Sequence, residues 1–275
     1  MKTAGVFLVL ALHATTAEDV YLVTGATGST GQLIYKSLVS AGHQTRGLVT
    51  NITTARAVLG CDACDASEGI FLGDVTNSST LVEAMDGVSF VADAVGVSAS
   101  ASDATIQAVE WKGVENQVTV LAQSAVSQGR PLSSLQFSMI SSMGTTDPDP
   151  QPFMGGSVLF YKLQAEAFAM SSGVPFTIVK PCGLVDTDAA QVQLNVGHDD
   201  YLRSQEAHKQ YGFGTVARAD VARVMVQALT TRHAGLRFDL CGTTRNGTTP
   251  TTDDDLDALL DDAQWPWMAS TGAEV

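Results

Sequence analysis

The sequence predicts a single α/β domain in which a doubly wound parallel sheet is covered by helices on both faces. Apolar β-rich segments alternate with segments that carry apolar residues at helical spacing along most of the 275 residues. That alternation is typical of parallel strands joined by crossover helices. The hydrophobic fraction of 45% is sufficient for a buried core, and neither an internal repeat nor a linker divides the chain.

The charge balance is acidic, with 29 Asp and Glu against 15 Lys and Arg and a net charge of −14. Such a surface repels phosphate backbones, so we expect no nucleic-acid partner. Part of the excess is concentrated near the C-terminus, where we expect residues 251–275 to form an acidic tail.

Residues 1–17 have the layout of a cleavable signal or targeting segment. Lys2 is a lone basic residue, Val6–Leu12 is an apolar run, and small residues follow it. The run is far shorter than the ~20 residues that a membrane span needs, and we expect no transmembrane segment. A buried N-terminal strand is the alternative. The signal interpretation predicts entry into the secretory route, with a lumen or an organelle such as a plastid as the final compartment, and a folded domain over residues 18–250.

The first predicted strand, Asp19–Thr24, leads directly into a glycine-rich turn and then into a helix over Gln32–Ala41. This order is the one that dinucleotide binding requires, and it makes the predicted fold Rossmann-like. The glycines allow a tight turn, close approach of a pyrophosphate and packing of helix on strand, and the free N–H groups at the helix start face the phosphates. The predicted phosphate-binding residues are Gly25, Thr27, Gly28, Ser29, Thr30 and Gly31.

The second predicted strand, Gln44–Thr50, bears on the choice of cofactor. An NAD site places an Asp or Glu at the end of this strand to hold the ribose hydroxyls. No acid occurs from His43 to Asn51, whereas Arg46 and Thr50 could contact a 2′-phosphate. The sequence therefore favours NADP, with NAD as the alternative. The alternative role of Arg46 is that of a solvated strand residue.

The alternation continues to the end of the domain. The later predicted strands are Gly69–Val75, Val88–Val95, Leu135–Ser141, Pro175–Lys180 and Arg237–Cys241. The later predicted helices are Ser79–Met85, Ala104–Gln128, Ser157–Ser171 and Val221–Leu229, the last with Asp220 as its N-cap.

Ligands on such a sheet lie at the carboxyl ends of its strands. Ala94 and Gly96, at the carboxyl end of the fourth predicted strand, are therefore expected at the cofactor. The long segment Val185–Gly214, in the C-terminal third, is expected to close over the site as a substrate lid.

Four cysteines are too few for a disulfide framework in a chain of this length. Cys61 and Cys64 have the spacing of metal ligands, but no second pair completes a set of four, so we expect no metal site. An inert surface loop is the favoured interpretation. A redox-sensitive loop and a local disulfide are the alternatives.

Several ordered motifs together resemble one protein family. They are the turn Thr24–Gly31, the strand His43–Asn51, the triplet Gly73–Val75, the helix Phe160–Glu166, the segment Phe176–Leu184 and the segment Ala219–Ala222. These residues resemble the atypical short-chain dehydrogenase/reductase superfamily, and in particular its NmrA-like NAD(P)-binding group. The resemblance extends from about residue 19 to residue 245.

The resemblance implies that Asp74 and Val75 flank the adenine and that Pro181, Cys182 and Gly183 lie beside the nicotinamide. It also implies an oxidoreductase that acts on a small carbonyl or alcohol. The Tyr-x-x-x-Lys pair of such reductases is absent, because Val158 stands four residues before Lys162.

The missing pair leaves two candidate catalytic residues. They are Lys162, which could also hold the nicotinamide ribose, and Ser142, with Ser141 as its alternative, which could bind a substrate oxygen. A non-catalytic NADP(H)-binding protein that senses redox state or docks a protein partner is the alternative function.

Overall fold

The computed structural model describes residues 19–146, 157–212, 214–243, 245 and 247–265. The strands are β1 Val20–Thr24, β2 Gln44–Val49, β3 Ile70–Leu72, β4 Phe90–Asp93, β5 Gln136–Ile140, β6 Phe176–Pro181, β7 Gly183–Val185, β8 Leu194–Gly197, β9 Thr215–Ala217 and β10 Leu236–Gly242. The helices are α1 Gly31–Ser40, α2 Ile52–Leu59, α3 Val82–Met85, α4 Asp103–Ile106, α5 Gly113–Ser127, α6 Ser157–Ser171, α7 Gln205–Tyr211, α8 Arg218–Thr230 and α9 Leu256–Asp262. The expected signal over residues 1–17 lies outside the described residues.

Eight strands form one sheet in the order β3-β2-β1-β4-β5-β6-β10-β8. Neighbouring strands are parallel except β8, which pairs antiparallel with β10. The strand order reverses between β1 and β4, which is the switch point where ligands bind in such sheets. The predicted doubly wound Rossmann-like fold is confirmed.

Strand β1 shows why both faces of the sheet need helices. Every residue of β1 is buried. Tyr21 and Val23 join one core with α1 and α8, while Val20 and Leu22 join a second core with α5. Because successive side chains of a strand point to opposite faces, a uniformly apolar strand can be stable only between two helical layers.

Two helices differ from the sequence prediction. Helix α8 begins at Arg218 after the N-cap residue Ala217, so the prediction that Asp220 is the N-cap is wrong. Asp220 instead lies buried in the first turn, where its carboxylate accepts the N–H of Ala190 and pairs with Arg223. The single helix predicted over Ala104–Gln128 is divided by a π-helical stretch.

That π-helical stretch spans Gln107–Lys112 and joins α4 to α5. Directly after it, Gly113 lies against Val75, and a Cβ atom on Gly113 would come within 2.8 Å of Cγ2 of Val75. The close approach accounts for a glycine at this point of a long helix.

The acidic C-terminal segment is part of the domain as far as the structure describes it. Thr252 and Asp255 form a reciprocal capping box, and α9 follows with Leu256, Leu259 and Leu260 buried in the core. The boundary expected at residue 250 therefore does not hold for residues 251–265. None of the helices in the described part of the chain combines the length and apolarity that a membrane crossing requires.

Candidate active site

The glycine turn after β1 is held in a shape that only glycine permits at two positions. Gly25 has φ of +69°, in the left-handed region that favours glycine. A Cβ atom on Gly31 would lie 2.1 Å from the carbonyl oxygen of Gly25. The first turn of α1 therefore packs directly on the backbone of the preceding turn.

This packing leaves the start of α1 open toward a cavity. The carbonyl oxygen of Gly28 accepts the N–H of Gln32 at 3.0 Å. Within the described residues, the N–H groups of Ser29, Thr30 and Gly31 have no acceptor, and Gly28, Ser29 and Thr30 line the cavity. Unpaired N–H groups at a helix N-terminus suit a diphosphate, so the turn fits the phosphates of a dinucleotide.

The cavity has a volume of about 960 Å³ and lies at the carboxyl ends of β1, β4, β5 and β6. That size is within the range of small-molecule sites. The predicted residues that line it are Gly28, Ser29, Thr30, Ala94, Gly96, Ser142, Lys162, Pro181, Cys182 and Gly183. One continuous space therefore joins the expected phosphate and nicotinamide sites.

The segment predicted as a lid forms the outer wall of the cavity. Leu202, Arg203, His208 and Tyr211 line it from this segment. Part of the segment also extends the main sheet, since β8 pairs with β10. Antiparallel pairing at a sheet edge carries no signal in a sequence that otherwise alternates strands with helices, so β8 was not predicted.

Lys162 projects into the cavity from α6, with 12% of its side chain exposed. Its Nζ atom lies 2.8 Å from Oε2 of Glu110 and donates to the carbonyl oxygen of Ile140 at 3.2 Å. Glu110 comes from the π-helical stretch and also lines the cavity. No motif in the sequence singles out Glu110.

A second carboxyl group lies beneath the same region, at the end of β4. Burial raises the pKa of Asp93, and its hydrogen bonds from the backbone N–H of Val95 and from Thr24, together with the charge of Lys162, offset part of that rise. Lys162 thus lies in a buried group of opposite charges.

The cavity wall is apolar where a reductase Tyr would stand. Val158 and Leu159 line the cavity beside Lys162. Tyr161 instead donates its hydroxyl to Asp103 at 2.9 Å, and that hydrogen bond raises the pKa of Tyr161. Ser142 reaches the cavity but donates its hydroxyl to the carbonyl oxygen of Met143 at 2.9 Å. Of the two candidate catalytic residues, Lys162 is the one that brings a charged group to the cavity wall.

Several predicted cofactor residues do not line the cavity. Gly25, Thr27 and Gly31 belong to the body of the turn behind it. Thr50 is exposed at the end of β2, and Asp74 is exposed with its carboxylate accepting the N–H and hydroxyl of Thr76. Val75 is buried, and its carbonyl oxygen accepts from the side-chain amide of Asn116.

The structure holds Arg46 away from the cavity. Arg46 lies in the middle of β2, opposite Leu22 of β1. Its guanidinium donates to the carbonyl oxygens of Ala84 and Asp86 at 2.9 and 2.7 Å and lies over the ring of Phe71. This half-buried arrangement does not match the predicted contact between Arg46 and a 2′-phosphate. It does not match the alternative, a solvated strand residue, either.

All four cysteines are paired. Cys61 and Cys64 form a local disulfide, the alternative to the favoured inert loop. Both carboxylate oxygens of the neighbouring Glu68 accept backbone N–H groups of that loop. A second disulfide, which was not predicted from the sequence, joins Cys182 to Cys241 in the cavity wall.

The fold, the turn and the cavity define a dinucleotide-binding protein of Rossmann-like type. Residues 25–232 match the family model described as NAD(P)H-binding. The chain belongs to that NAD(P)H-binding family, and its predicted place in the NmrA-like group of atypical short-chain dehydrogenases/reductases is confirmed.

Two curated relatives are similar over most of their length. An uncharacterised chloroplastic protein of Arabidopsis thaliana is 31% identical, with 92% of this chain and 78% of that protein covered. Sanguinarine reductase of Eschscholzia californica is 30% identical over 76% of this chain and 83% of its own length. The family is therefore one of oxidoreductase type that includes reductases.

Solved structures confirm the fold. The oxidoreductase YlbE of Lactococcus lactis has a TM-score of 0.62 at 15% identity, covering 90% of this chain and 99% of that one. A short-chain dehydrogenase/reductase superfamily protein of Agrobacterium tumefaciens with bound NAD has a TM-score of 0.55 at 16% identity, covering 88% and 81% of the two chains.

Proposed function

We propose that this protein is an NADP-dependent oxidoreductase that interconverts a small carbonyl compound and its alcohol. The observation that carries the proposal is the position of the Lys162 ammonium, which faces the same cavity as the glycine turn. The turn would hold the diphosphate, and the chain near Pro181 and Gly183 would lie beside the nicotinamide. The bound cofactor supplies the hydride.

The chain's own residues would handle the substrate oxygen and its proton. The Lys162 ammonium would hydrogen-bond the oxygen on which negative charge develops, and could deliver a proton to it. Val158, Leu159 and Met143 would keep water from this part of the cavity. Ser142 would bind the substrate oxygen after its hydroxyl rotates away from the carbonyl of Met143.

The preference for NADP is supported by the end of β2. Asn51 uses its side-chain oxygen to cap α2, accepting the N–H of Thr54 at 3.0 Å. Thr50 and Asn51 thus present uncharged polar groups, and no carboxylate in this strand end would repel a 2′-phosphate.

A second candidate function is supported by the apolar wall at Val158. A protein that binds NADP(H) in this cavity without a positioned phenol could report redox state or dock a protein partner.

One experiment separates the two functions. Purified protein is titrated with NADPH and NADH by fluorescence, and is then tested for NADPH oxidation with a panel of quinones, aldehydes and ketones.

The oxidoreductase would be supported if the protein binds NADPH more tightly than NADH and if the rate of NADPH oxidation falls in the Lys162→Ala variant. Tight binding without oxidation of NADPH by any compound would favour the second function. Turnover by Lys162→Ala equal to that of the original chain would overturn the role of Lys162.

The compartment is a separate part of the proposal. Two disulfides suit an oxidising lumen, and the Arabidopsis relative is chloroplastic. Residues 1–17 fused to a fluorescent protein should direct it into the secretory route. Diffuse cytoplasmic fluorescence would contradict the signal interpretation.

A further inference from the structure

Glu110 is a buried carboxylate in the cavity wall that the proposed function does not use. It is 4% exposed and lies in the π-helical stretch between α4 and α5. Taking a carboxylate out of water costs several kcal/mol unless its charge is paired and its oxygens are hydrogen-bonded. Both conditions are met here.

The two oxygens of Glu110 have different partners. Oε1 accepts the backbone N–H of Val97 at 2.9 Å, and Oε2 lies 2.8 Å from Nζ of Lys162. Val97 and Lys162 both line the cavity. Glu110 thus connects the loop after β4, which lines the cavity, to the lysine on α6.

The geometry also accounts for the direction of the lysine. A lysine ammonium has three N–H donors. Glu110 and the carbonyl oxygen of Ile140 take two of them, and no third acceptor occurs in the part of the chain that the structure describes. Because the side chain lines the cavity, the remaining N–H is available to a ligand there.

We propose that Glu110 is a positioning residue that orients the Lys162 ammonium toward the nicotinamide half of the bound cofactor. The proposal rests on the proposed function, since it requires a dinucleotide in this cavity. Glu110 acts through Lys162 and does not itself touch the ligand. A regular α-helix would place residue 110 at a different angle, so the π-helical turn is part of the arrangement.

A binding experiment separates this role from a merely structural one. Affinities for NADPH and for adenosine 2′,5′-bisphosphate, which lacks the nicotinamide ribose, are measured by titration for the original chain, Glu110→Gln, Lys162→Met and the double variant. Glu110→Gln keeps the size of the side chain and an oxygen for the N–H of Val97. Glu115→Gln is the matched control. Glu115 also pairs with a lysine, Lys112, but neither residue of this pair lines the cavity.

We expect Glu110→Gln to weaken NADPH binding about tenfold, the scale of one hydrogen bond to a charged group. Its affinity for the bisphosphate should stay within about twofold of the original, and the double variant should be no weaker than Lys162→Met, since both substitutions remove one interaction. Glu115→Gln should change neither affinity.

Unchanged NADPH affinity in Glu110→Gln, equal losses for both ligands, or additive effects in the double variant would overturn the positioning role. If the original chain binds neither ligand, the proposed function itself fails. If Glu110→Gln does not fold, Glu110→Asp takes its place, because it keeps the charge but shortens the reach to Lys162, and it must bind the bisphosphate normally and NADPH more weakly for the proposal to stand.

Discussion

Lys180 and Asp239 lie opposite each other on the parallel strands β6 and β10, with their charged atoms 3.3 Å apart and neither side chain exposed. Asp200 is a second carboxylate at Lys180, 3.1 Å from Nζ. Burial raises the pKa of Asp239, and the charge of Lys180 offsets part of that rise. Burial acts in the same direction on Asp200, but hydrogen bonds from Thr146 and Gly144 and the charge of Lys180 outweigh it and lower that pKa.

We therefore expect the members of this cluster to differ in their effect on stability. Lys180→Met leaves two carboxyl groups without their cation and should cost about 3 to 5 kcal/mol in the free energy of unfolding. Asp239→Asn keeps the volume and should cost much less at neutral pH. Urea unfolding of the original chain and of the two variants measures both effects. A Lys180→Met variant as stable as the original would contradict the role of Lys180 as the cation that compensates the two carboxylates.

The raised pKa of Asp239 also gives a pH dependence. The folded protein retains the proton to higher pH than the unfolded chain does, so this group stabilises the fold below its ordinary pKa of 3.8. This stabilising contribution is lost as the pH rises through the pKa that Asp239 has in the folded protein. The stability of the original chain relative to Asp239→Asn should therefore fall with rising pH in that window, and a difference independent of pH would exclude the raised pKa.

The glycine turn offers a test of cofactor binding that is separate from stability. A Cβ atom on Gly28 would face the cavity 3.1 Å from the carbonyl oxygen of Gly25. We expect Gly28→Ala to weaken NADPH binding at least about tenfold, because the phosphates can no longer approach the backbone. Fluorescence titration measures the affinity and thermal unfolding the stability.

Gly42→Ala is the matched control for that substitution. Gly42 has φ of +83° and no atom within 4 Å of an added Cβ. The control should lose about 1 kcal/mol of stability and bind the cofactor normally. If the affinity falls equally in both variants, the loss in Gly28→Ala would reflect general destabilisation.

The fold was predictable because β1, the glycine turn and the long helices carry strong local patterns. The apolar residues Val20–Val23 alternate between two buried cores, and such a run has few alternatives to a central strand. Short elements were missed for the opposite reason. Strand β8 is defined by its pairing with β10, a contact between distant segments that no local pattern records.

The site was most predictable where backbone geometry determines it. The turn residues Gly28–Thr30 do line the cavity. Arg46 was misjudged and Glu110 was missed, because the direction of a long side chain depends on its tertiary neighbours. Glu110 did carry one signal, since it is an acid between the apolar residues Ile106 and Val114 on a helix whose neighbouring turns are buried.

The position of Arg46 predicts that it supports the sheet and does not select the cofactor. Arg46→Met should lose about 1 to 2 kcal/mol of stability, because two hydrogen bonds to the carbonyl oxygens of Ala84 and Asp86 disappear. The ratio of NADPH to NADH affinity should not change. Titration of both nucleotides with the variant measures that ratio, and a loss of preference for NADPH would restore Arg46 as a phosphate ligand.

The two disulfides should differ in their effect on stability and on the cavity. The Cys182–Cys241 bond closes a loop with a sequence separation of 59, whereas Cys61 and Cys64 are separated by 3. In the chain-entropy model, replacing both members of the first pair with Ala should cost about 4 kcal/mol and replacing both of the second about 2 kcal/mol.

Only the first pair lines the cavity, so only its loss should also weaken NADPH binding. Denaturant unfolding measures the stability of the two double variants, and nucleotide titration measures their affinity for NADPH. The original chain and its dithiothreitol-reduced form are the controls. Equal losses of stability would show that loop length does not govern it. Unchanged NADPH affinity without the Cys182–Cys241 bond would show that the wall beside the expected nicotinamide keeps its shape without a covalent link to β10.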